Sequence, residues 1–314
     1  MVLSVQRDAA PEFEASRRFL WAICYRMTGS AADADDLVQE TFARALEHPP
    51  PDPSTPWRPW LTRIAVNLAR DALRRRKVRG YPGQWLPEPV ELDGGMLDAV
   101  KAHDDAEQRY STFESLSYAF LVALEELTPT QRAVLLLRDA LDYSVRETAE
   151  ALEISEPNVK TTLHRARATM ANYDETRLPV STELSARVSR VLYEILGAMA
   201  SGDVATFESL LATDIVAISD GGGQAFAAKK PVVGAQKIAR MYAKLATAAS
   251  EEGRLEVREL NGLPALVVED PAVKPPAAHR SVLRIELNGQ GKVSRIYSVL
   301  NPDKLRRLFS GARC

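Results

Sequence analysis

The stretch LTPTQRAVLLLRDALDYSVRETAEALEISEPNVKTTLHRARATM, residues 127–170, decides the reading of this chain. Two capping boxes open successive short helices, Thr128–Pro129–Thr130–Gln131 and Ser144–Val145–Arg146–Glu147. In each, a hydroxyl and a Glu or Gln three positions on satisfy one another's orphan backbone donors. Ser155 starts a third helix, with Pro157 in its first turn and Val159, Leu163 and Ala166 on its apolar side. Short helix, tight turn, second helix is a DNA-binding pattern. The second helix of such a pair enters the major groove, and Ser155, Asn158, Lys160, Thr161, Thr162, Arg165 and Arg167 offer hydroxyl, amide and cationic groups there. A plain helical hairpin with a solvated face would share the apolar spacing. Repeated capping combined with a cationic face favours DNA.

Toward the N-terminus, apolar residues recur at helical spacing: Phe19, Ile23 and Met27, then Leu37, Val38, Phe42, Ala45 and Leu46. The second of these helices begins with Ser30 and Asp33 as a capping pair and carries Asp33, Asp35, Asp36 and Glu40. Acids in a first turn complement the helix dipole. The alternative reading of the same acids is a docking surface for a basic partner helix, supported by Leu37, Gln39 and Phe42. A third helix has Thr55 as cap, Pro56 in its first turn, and a stripe through Trp57, Trp60, Leu61, Ile64, Ala65, Leu68 and Ala72. It ends in five basic residues of the six from Arg74 to Arg79. Tryptophans at this spacing usually fill a core, but a Pro-rich loop at one end and cations at the other suit a nucleic-acid strand, with Asn67 or the loop reading a base.

Charge is unevenly placed behind a net value of -2. Seven basic residues fall between Arg63 and Arg79, where Asp71 is the only acid; residues 80–127 hold 10 acids against Lys101 and Arg109. Within 80–112, Gly80, Pro82, Gly83, Pro87, Pro89, Gly94 and Gly95 give linker composition. The acids there, Asp104, Asp105 and Glu107 among them, are expected to lie along basic channels of a partner that otherwise hold nucleic acid.

After Pro179 the pattern changes to α+β. Helices are expected over 184–199, near 205–211 and over 235–245, with strands at 215–219, 254–260, 265–268 and 281–287; Asn261–Gly262 is a hairpin turn. The expected domains are 1–79, an acidic Pro/Gly linker 80–112, 113–178, and 182–314. A chain of 314 residues exceeds what one core usually holds. Two cysteines, Cys24 and Cys314, build neither a disulfide framework nor a cysteine metal site, and no metal or cofactor is expected. No basic leader with an apolar run and no 18-residue apolar stretch occurs, so a cytoplasmic protein without membrane association is expected.

Together, DADDLVQETF (33–42), WLTRIAVNLARDALRRR (60–76) and residues 127–170 resemble the extracytoplasmic-function class of sigma factors over roughly 12–77 and 113–175. The resemblance implies two helical domains that bind core RNA polymerase, through its β′ and β subunits, and promoter DNA. It places Asp33, Asp36, Leu37, Gln39, Glu40 and Phe42 against a β′ coiled coil. The loop with Asp52, Ser54 and Thr55, together with Trp57, Asn67, Arg70, Arg74 and Arg75, would hold the melted minus-10 strand, and the helix from Ser155 the minus-35 duplex. One position departs: Glu153 stands where a turn glycine is common, and a left-handed non-glycine residue costs about 1 kcal/mol.

The C-terminal part resembles the SnoaL-like branch of the cone-shaped α+β fold, an extension carried by a subgroup of these sigma factors. WLPEP (85–89), DGGG (220–223) and NPDKL (301–305) look like that subgroup's linker, turn and tail signatures, with Gln224 where a lysine is frequent. The implied role is regulation in cis through Trp85, Pro87, Asp220, Gly221, Gly222, Asn301, Pro302 and Asp303, without a separate anti-sigma protein. Cone folds also include enzymes, and Asp220, Tyr242, His279 and Tyr297 are the available acid–base groups. No second catalytic partner can be placed beside a lone histidine, so no enzyme is expected. The alternative is a one-component helix-turn-helix regulator whose C-terminal domain senses a small molecule of unidentified chemistry. It leaves the acidic N-terminal helix unexplained.

Overall fold

The computed structural model describes residues 2–50, 52, 54–92, 109–111, 113–248 and 250–310. Asp104, Asp105 and Glu107 lie outside them. The chain forms two compact units. The first holds the described residues up to Gly80 and most of those from Arg109 to Asp174; the second holds Tyr81–Leu92, Ser117–Ala119 and the described residues from Glu175 onward.

The first unit is helical: α1 (Val2–Thr28), α2 (Ala31–Glu47), α3 (Trp57–Arg79), α4 (Tyr118–Ala123, divided between the units), α5 (Pro129–Leu135), α6 (Val145–Leu152) and α7 (Glu156–Thr176). Ser30 caps α2 by accepting from the Asp33 N–H. Both expected capping boxes form at Thr128 and Ser144. The start of α3 differs from expectation. Pro56, not Thr55, is the N-cap and makes no side-chain bond. Proline pushes its predecessor toward extended backbone, and the Thr55 N–H instead closes a turn onto the Asp52 carbonyl at 2.9 Å.

Within this unit Phe19, Ile23, Val38, Leu61 and Val66 pack into a core. Phe13 stacks on Phe42 at 4.6 Å, and Trp57 meets Phe13 edge-on at 5.4 Å. Val159, Leu163, Ala166 and Met170 bury one stripe of α7, as their spacing predicts. The buried Arg132 of α5 donates to the Met27 carbonyl at the end of α1 and to Leu124, and pairs with Glu125 at 2.8 Å. That pairing meets the requirement that a buried charge be compensated.

The second unit is α+β, as its resemblance to the SnoaL-like cone fold implied. Helices α8 (Thr182–Ser201), α9 (Val204–Leu210) and α10 (Ala235–Thr247) accompany one sheet of β1 (Leu211–Asp220), β2 (Val232–Val233), β3 (Arg254–Leu260), β4 (Leu263–Glu269), β5 (Arg280–Leu287) and β6 (Val293–Val299); α11 (Pro302–Phe309) follows. Strand order is β2-β1-β6-β5-β4-β3, parallel only between β1 and β6. Asn261 and Gly262, at φ 48 and 77, make the β3–β4 turn, because a two-residue primed turn needs positive φ twice. Alternate residues of β5, Ile285 and Leu287, join Leu184, Val188, Leu192, Ile195, Phe207 and Ile238 in the core.

Residues 81–92, read from composition as a free linker, belong to this unit. Leu86, Pro87, Glu88, Pro89 and Val90 are buried. Val90 exchanges two hydrogen bonds with Asn261, donating at 3.2 Å and accepting at 2.8 Å, and Glu91 takes the guanidinium of Arg258. The prolines keep the segment extended, and within the same unit the Leu86 N–H donates to Asp220 while the Pro87 carbonyl accepts from the Tyr118 hydroxyl at 2.9 Å.

Candidate functional site

Three surfaces collect the residues singled out from the sequence. On α2, Asp33, Asp36, Gln39 and Glu40 are exposed, while Leu37 and Phe42 are buried. The acids form a solvated stripe at three- and four-residue spacing, and the two apolar residues fix the helix beneath it. Arg44 pairs with Glu40 at 2.7 Å, an exposed contact of small energetic weight.

The second surface is α3 with the loop before it. Asp52 accepts from the Ser54 N–H at 2.9 Å, and that bonding lowers its carboxyl below the usual range. Trp57 is half-buried against Phe13, and Arg74 and Arg75 are exposed, Arg74 pairing with Asp71 at 3.1 Å. Asn67 and Arg70 are engaged elsewhere. The Asn67 Nδ2 donates to the Ala151 carbonyl at 2.8 Å, and Arg70 Nη1 donates to Leu152 at 3.2 Å. Burial lowers the Arg70 pKa, with Arg74 adding to the effect.

Ser155, just before α7, and Asn158, Lys160, Thr161 and Arg165 on it are exposed, and Thr162 is half-buried. Thr162 donates to Asn158 Oδ1 at 3.1 Å and Thr161 to the Pro157 carbonyl at 3.0 Å. Arg167 holds buried Asp139 through two bonds, at 2.8 and 2.7 Å, so it ties α7 to the helical turn Leu136–Ala140 that follows α5. The turn between α6 and α7 is built on Glu153 at φ 56 and ψ 45, the left-handed conformation that glycine usually supplies.

The residues of WLPEP, DGGG and NPDKL converge within the second unit. Asp220, fully buried at the end of β1, accepts from the Tyr81 hydroxyl at 2.6 Å, the Leu86 N–H at 2.9 Å, the Gly222 N–H at 3.0 Å and Lys304 Nζ at 2.6 Å. Lys304 also donates to the Leu86 carbonyl, and its ammonium lies 3.9 Å from the Trp85 ring centre and 4.9 Å from that of Tyr81. A carboxylate, a carbonyl and two π faces thus desolvate and compensate one cation. Asn301 caps α11 by accepting from Asp303, with Pro302 in the first turn, and donates to the Tyr81 hydroxyl at 2.9 Å. Asp303 accepts from Gln224 at 2.6 Å.

Glycine is required in this turn. A Cβ on Gly222, at φ 59, would sit 2.3 Å from Asn301 Nδ2, and one on Gly221 would sit 2.2 Å from the Ala225 carbonyl oxygen. Three segments far apart in sequence therefore meet at one buried ion pair. Tyr81 and Lys304 are members of this cluster that pattern reading missed, because a lysine and a tyrosine among polar neighbours read as surface. Lys304 stood inside the quoted NPDKL, which was the available signal.

The acid–base candidates do not come together. Asp220 is consumed by Lys304. The Tyr242 hydroxyl bonds Ser298 at 2.7 Å on the helical face of the sheet, and burial pushes it up to about 12. Tyr297 follows Ile296 and precedes Ser298 on β6, so it points to the opposite face. His279 contributes its backbone carbonyl to Asp270. A cavity of about 250 Å³ opens between α8, α9 and α10, lined by Met199, Val204, Phe207, Ala243 and Lys244. Among the described residues no cluster of His, Cys, Asp or Glu is placed to hold a metal ion, and no helix is long and apolar enough to cross a membrane.

Comparison with known proteins agrees with this division. The family model for sigma-70 region 2 matches residues 13–79, and that for sigma-70 region 4 matches residues 117–170. The ECF RNA polymerase sigma factor SigJ of Mycobacterium tuberculosis is 33% identical over 301 residues, covering 93% of this chain and 92% of that protein. SigG of the same organism is 39% identical over 175 residues, or 51% of this chain and 47% of SigG. The crystal structure of the M. tuberculosis SigJ protein superposes with a TM-score of 0.71 at 30% identity, covering 95% of this chain and 98% of that one. Helices α1–α3 and the helix-turn-helix, followed by an α+β unit, define a promoter-recognition subunit for transcription initiation. The chain belongs to the family of ECF RNA polymerase sigma factors.

Proposed function

We propose that this protein binds core RNA polymerase and directs initiation at a two-element promoter, and that its C-terminal unit regulates that activity in cis. The exposed acids Asp33, Asp36 and Glu40, with Gln39 beside them, dock on a β′ helix, with Leu37 and Phe42 holding their helix in place. Asp52, Ser54, Thr55, Trp57 and Asn67 take the unpaired minus-10 bases, while Arg70, Arg74 and Arg75 hold phosphates. Ser155, Asn158, Lys160, Thr161, Thr162 and Arg165 read the minus-35 duplex, with Arg167 positioning their helix.

The observation that carries the regulatory part is the meeting of WLPEP, DGGG and NPDKL at the Asp220–Lys304 pair. A segment that follows α3 directly is thereby locked to the tail of the C-terminal unit. Such a lock makes the freedom of that segment depend on the tail, which removes the need for a separate anti-sigma protein. The C-terminal unit acts without catalysis, since its acid–base groups are dispersed, and the protein works in the cytoplasm with its polymerase. The test is run-off transcription with core polymerase, comparing the full chain with a version ending before Asn301. Altered output at the same start sites supports regulation in cis. Unchanged output counts against it.

A further inference from the structure

The cavity of about 250 Å³ in the C-terminal unit is built from three helices and the turn between two of them. Ala198 and Met199 lie near the end of α8, Val204 and Phe207 on α9, and Ala243 and Lys244 toward the end of α10. The space between these helices and the sheet is already filled, by Ile238, Tyr242, Ile285, Val293 and Ile296. The cavity is therefore a separate opening in the helical layer. Of the three polar side chains that line it, two are spent. Asp203 accepts from the Thr206 N–H at 2.9 Å and from the Thr206 hydroxyl at 2.6 Å. The Thr247 hydroxyl donates to the Lys244 carbonyl at 2.9 Å. The end of α8 closes on itself, with the Gly202 N–H on Met199 at 3.2 Å and the Asp203 N–H on Ala198 at 2.8 Å. The third polar side chain, Lys244, is exposed, and its Nζ has no ion pair or hydrogen bond among the described residues. The surrounding sequence is cationic: from Gly221 to Ser250 there is no acid, against Lys229, Lys230, Lys237, Arg240 and Lys244.

We infer that this cavity binds a small monocarboxylic acid, with its apolar body between α8, α9 and α10 and its carboxylate on Lys244. The body is apolar because the other polar groups of the wall are already bonded. A ligand hydroxyl or amide among them would lose water without gaining a partner. One anionic group is selected because one uncommitted cation faces it, on a stretch of chain without acids. Asp203, the acid at the cavity, is turned to the first turn of α9. The carboxylate stays in the solvated mouth with Lys244, since the C-terminal ends of α8 and α10 carry partial negative charge that disfavours an anion against them. Size follows from volume. A cavity of ~150 Å³ accepts benzene, so this one takes a somewhat larger body, a medium acyl chain or a substituted ring. The site shares no residue with the Asp220–Lys304 cluster or with the surfaces assigned to polymerase and DNA. A ligand there acts on the C-terminal unit by stabilising it.

The test is isothermal titration calorimetry of the full chain with octanoate, octanol and octylamine, which share one apolar body and differ in head group. Octanoate should bind saturably at one site, octanol more weakly, and octylamine not measurably. Lys244→Met should weaken octanoate about threefold, the worth of an exposed ion pair, and leave octanol unchanged. Ala243→Phe, which fills the cavity, should abolish binding of both. Met199→Trp is a second filling variant should the first unfold, with circular dichroism reporting the fold of each. The absence of saturable octanoate binding would overturn the site. So would equal octanoate binding in Lys244→Met, octylamine binding as tight as octanoate, or binding that survives in a folded filling variant. Each of these results leaves promoter-directed initiation standing.

Discussion

At residue scale, the account rests on cations placed where apolar periodicity gives no warning. Lys304 is buried against Asp220, Trp85 and Tyr81. Removing one partner of a buried pair usually costs about 3–5 kcal/mol, because the other charge stays behind. Lys304→Met is therefore expected to lower the unfolding free energy of the C-terminal unit, read from the shift of its urea midpoint, by that order, and to speed proteolysis in residues 81–92. A midpoint within error of the parent would mean the pair contributes nothing. Gly222→Ala is expected to destabilise as well, by at least ~1 kcal/mol from its positive φ alone, with the contact at Asn301 added. Thermal unfolding beside Gly289→Ala, where a Cβ meets nothing within 4 Å, isolates the effect. The sequence exposed the motif containing Lys304 but not its role, since charge in a short polar segment ordinarily means solvent.

At element scale, the parts with local chemistry were legible and the parts defined by pairing were not. Both capping boxes and the Asn261–Gly262 turn were visible because each is written in four or fewer adjacent residues. Ser144→Ala should cost about 1 kcal/mol by urea unfolding, the usual worth of an N-cap hydroxyl; no change would mean α6 is held by packing alone. Strands β2 and β6 and helix α11 escaped. β2 is two residues long, β6 mixes Ser, Arg and Tyr with its apolar residues because it is central and covered on both faces, and α11 is only eight residues, with Leu305 and Leu308 its two buried apolar positions. Titration reports on the C-terminal core. Tyr242 has its pKa raised by burial to about 12 from an unperturbed value near 10. The neutral form is favoured by folding, so its contribution is whole below pH about 10 and is lost as pH rises toward about 12. Alkaline unfolding followed by circular dichroism should show that loss, and Tyr242→Phe should flatten it; an identical profile in the variant would place the cause elsewhere.

At the scale of the whole molecule, the two helical parts matched as sigma-70 regions 2 and 4 share one unit, and an α+β unit holds the segment that follows α3. The composition of 80–112 suggested a spacer, and for residues 81–92 it misled, because prolines and acids that look solvated are instead buried or ion-paired against β3 and α11. The full division into helical and α+β parts was readable, since hydrophobic period changes near Pro179. Truncation before Asn301 removes the Lys304 lock and should change transcript yield while leaving start sites where they were. The most direct test is run-off transcription over fragmented genomic DNA with purified core polymerase, sequencing RNA 5′ ends with and without this protein. The account predicts new starts that share two upstream elements at constant spacing and that disappear when Asp33 and Asp36 are both replaced by Arg. The absence of new starts for both the full chain and the chain ending before Asn301, together with no binding to core polymerase, would contradict it.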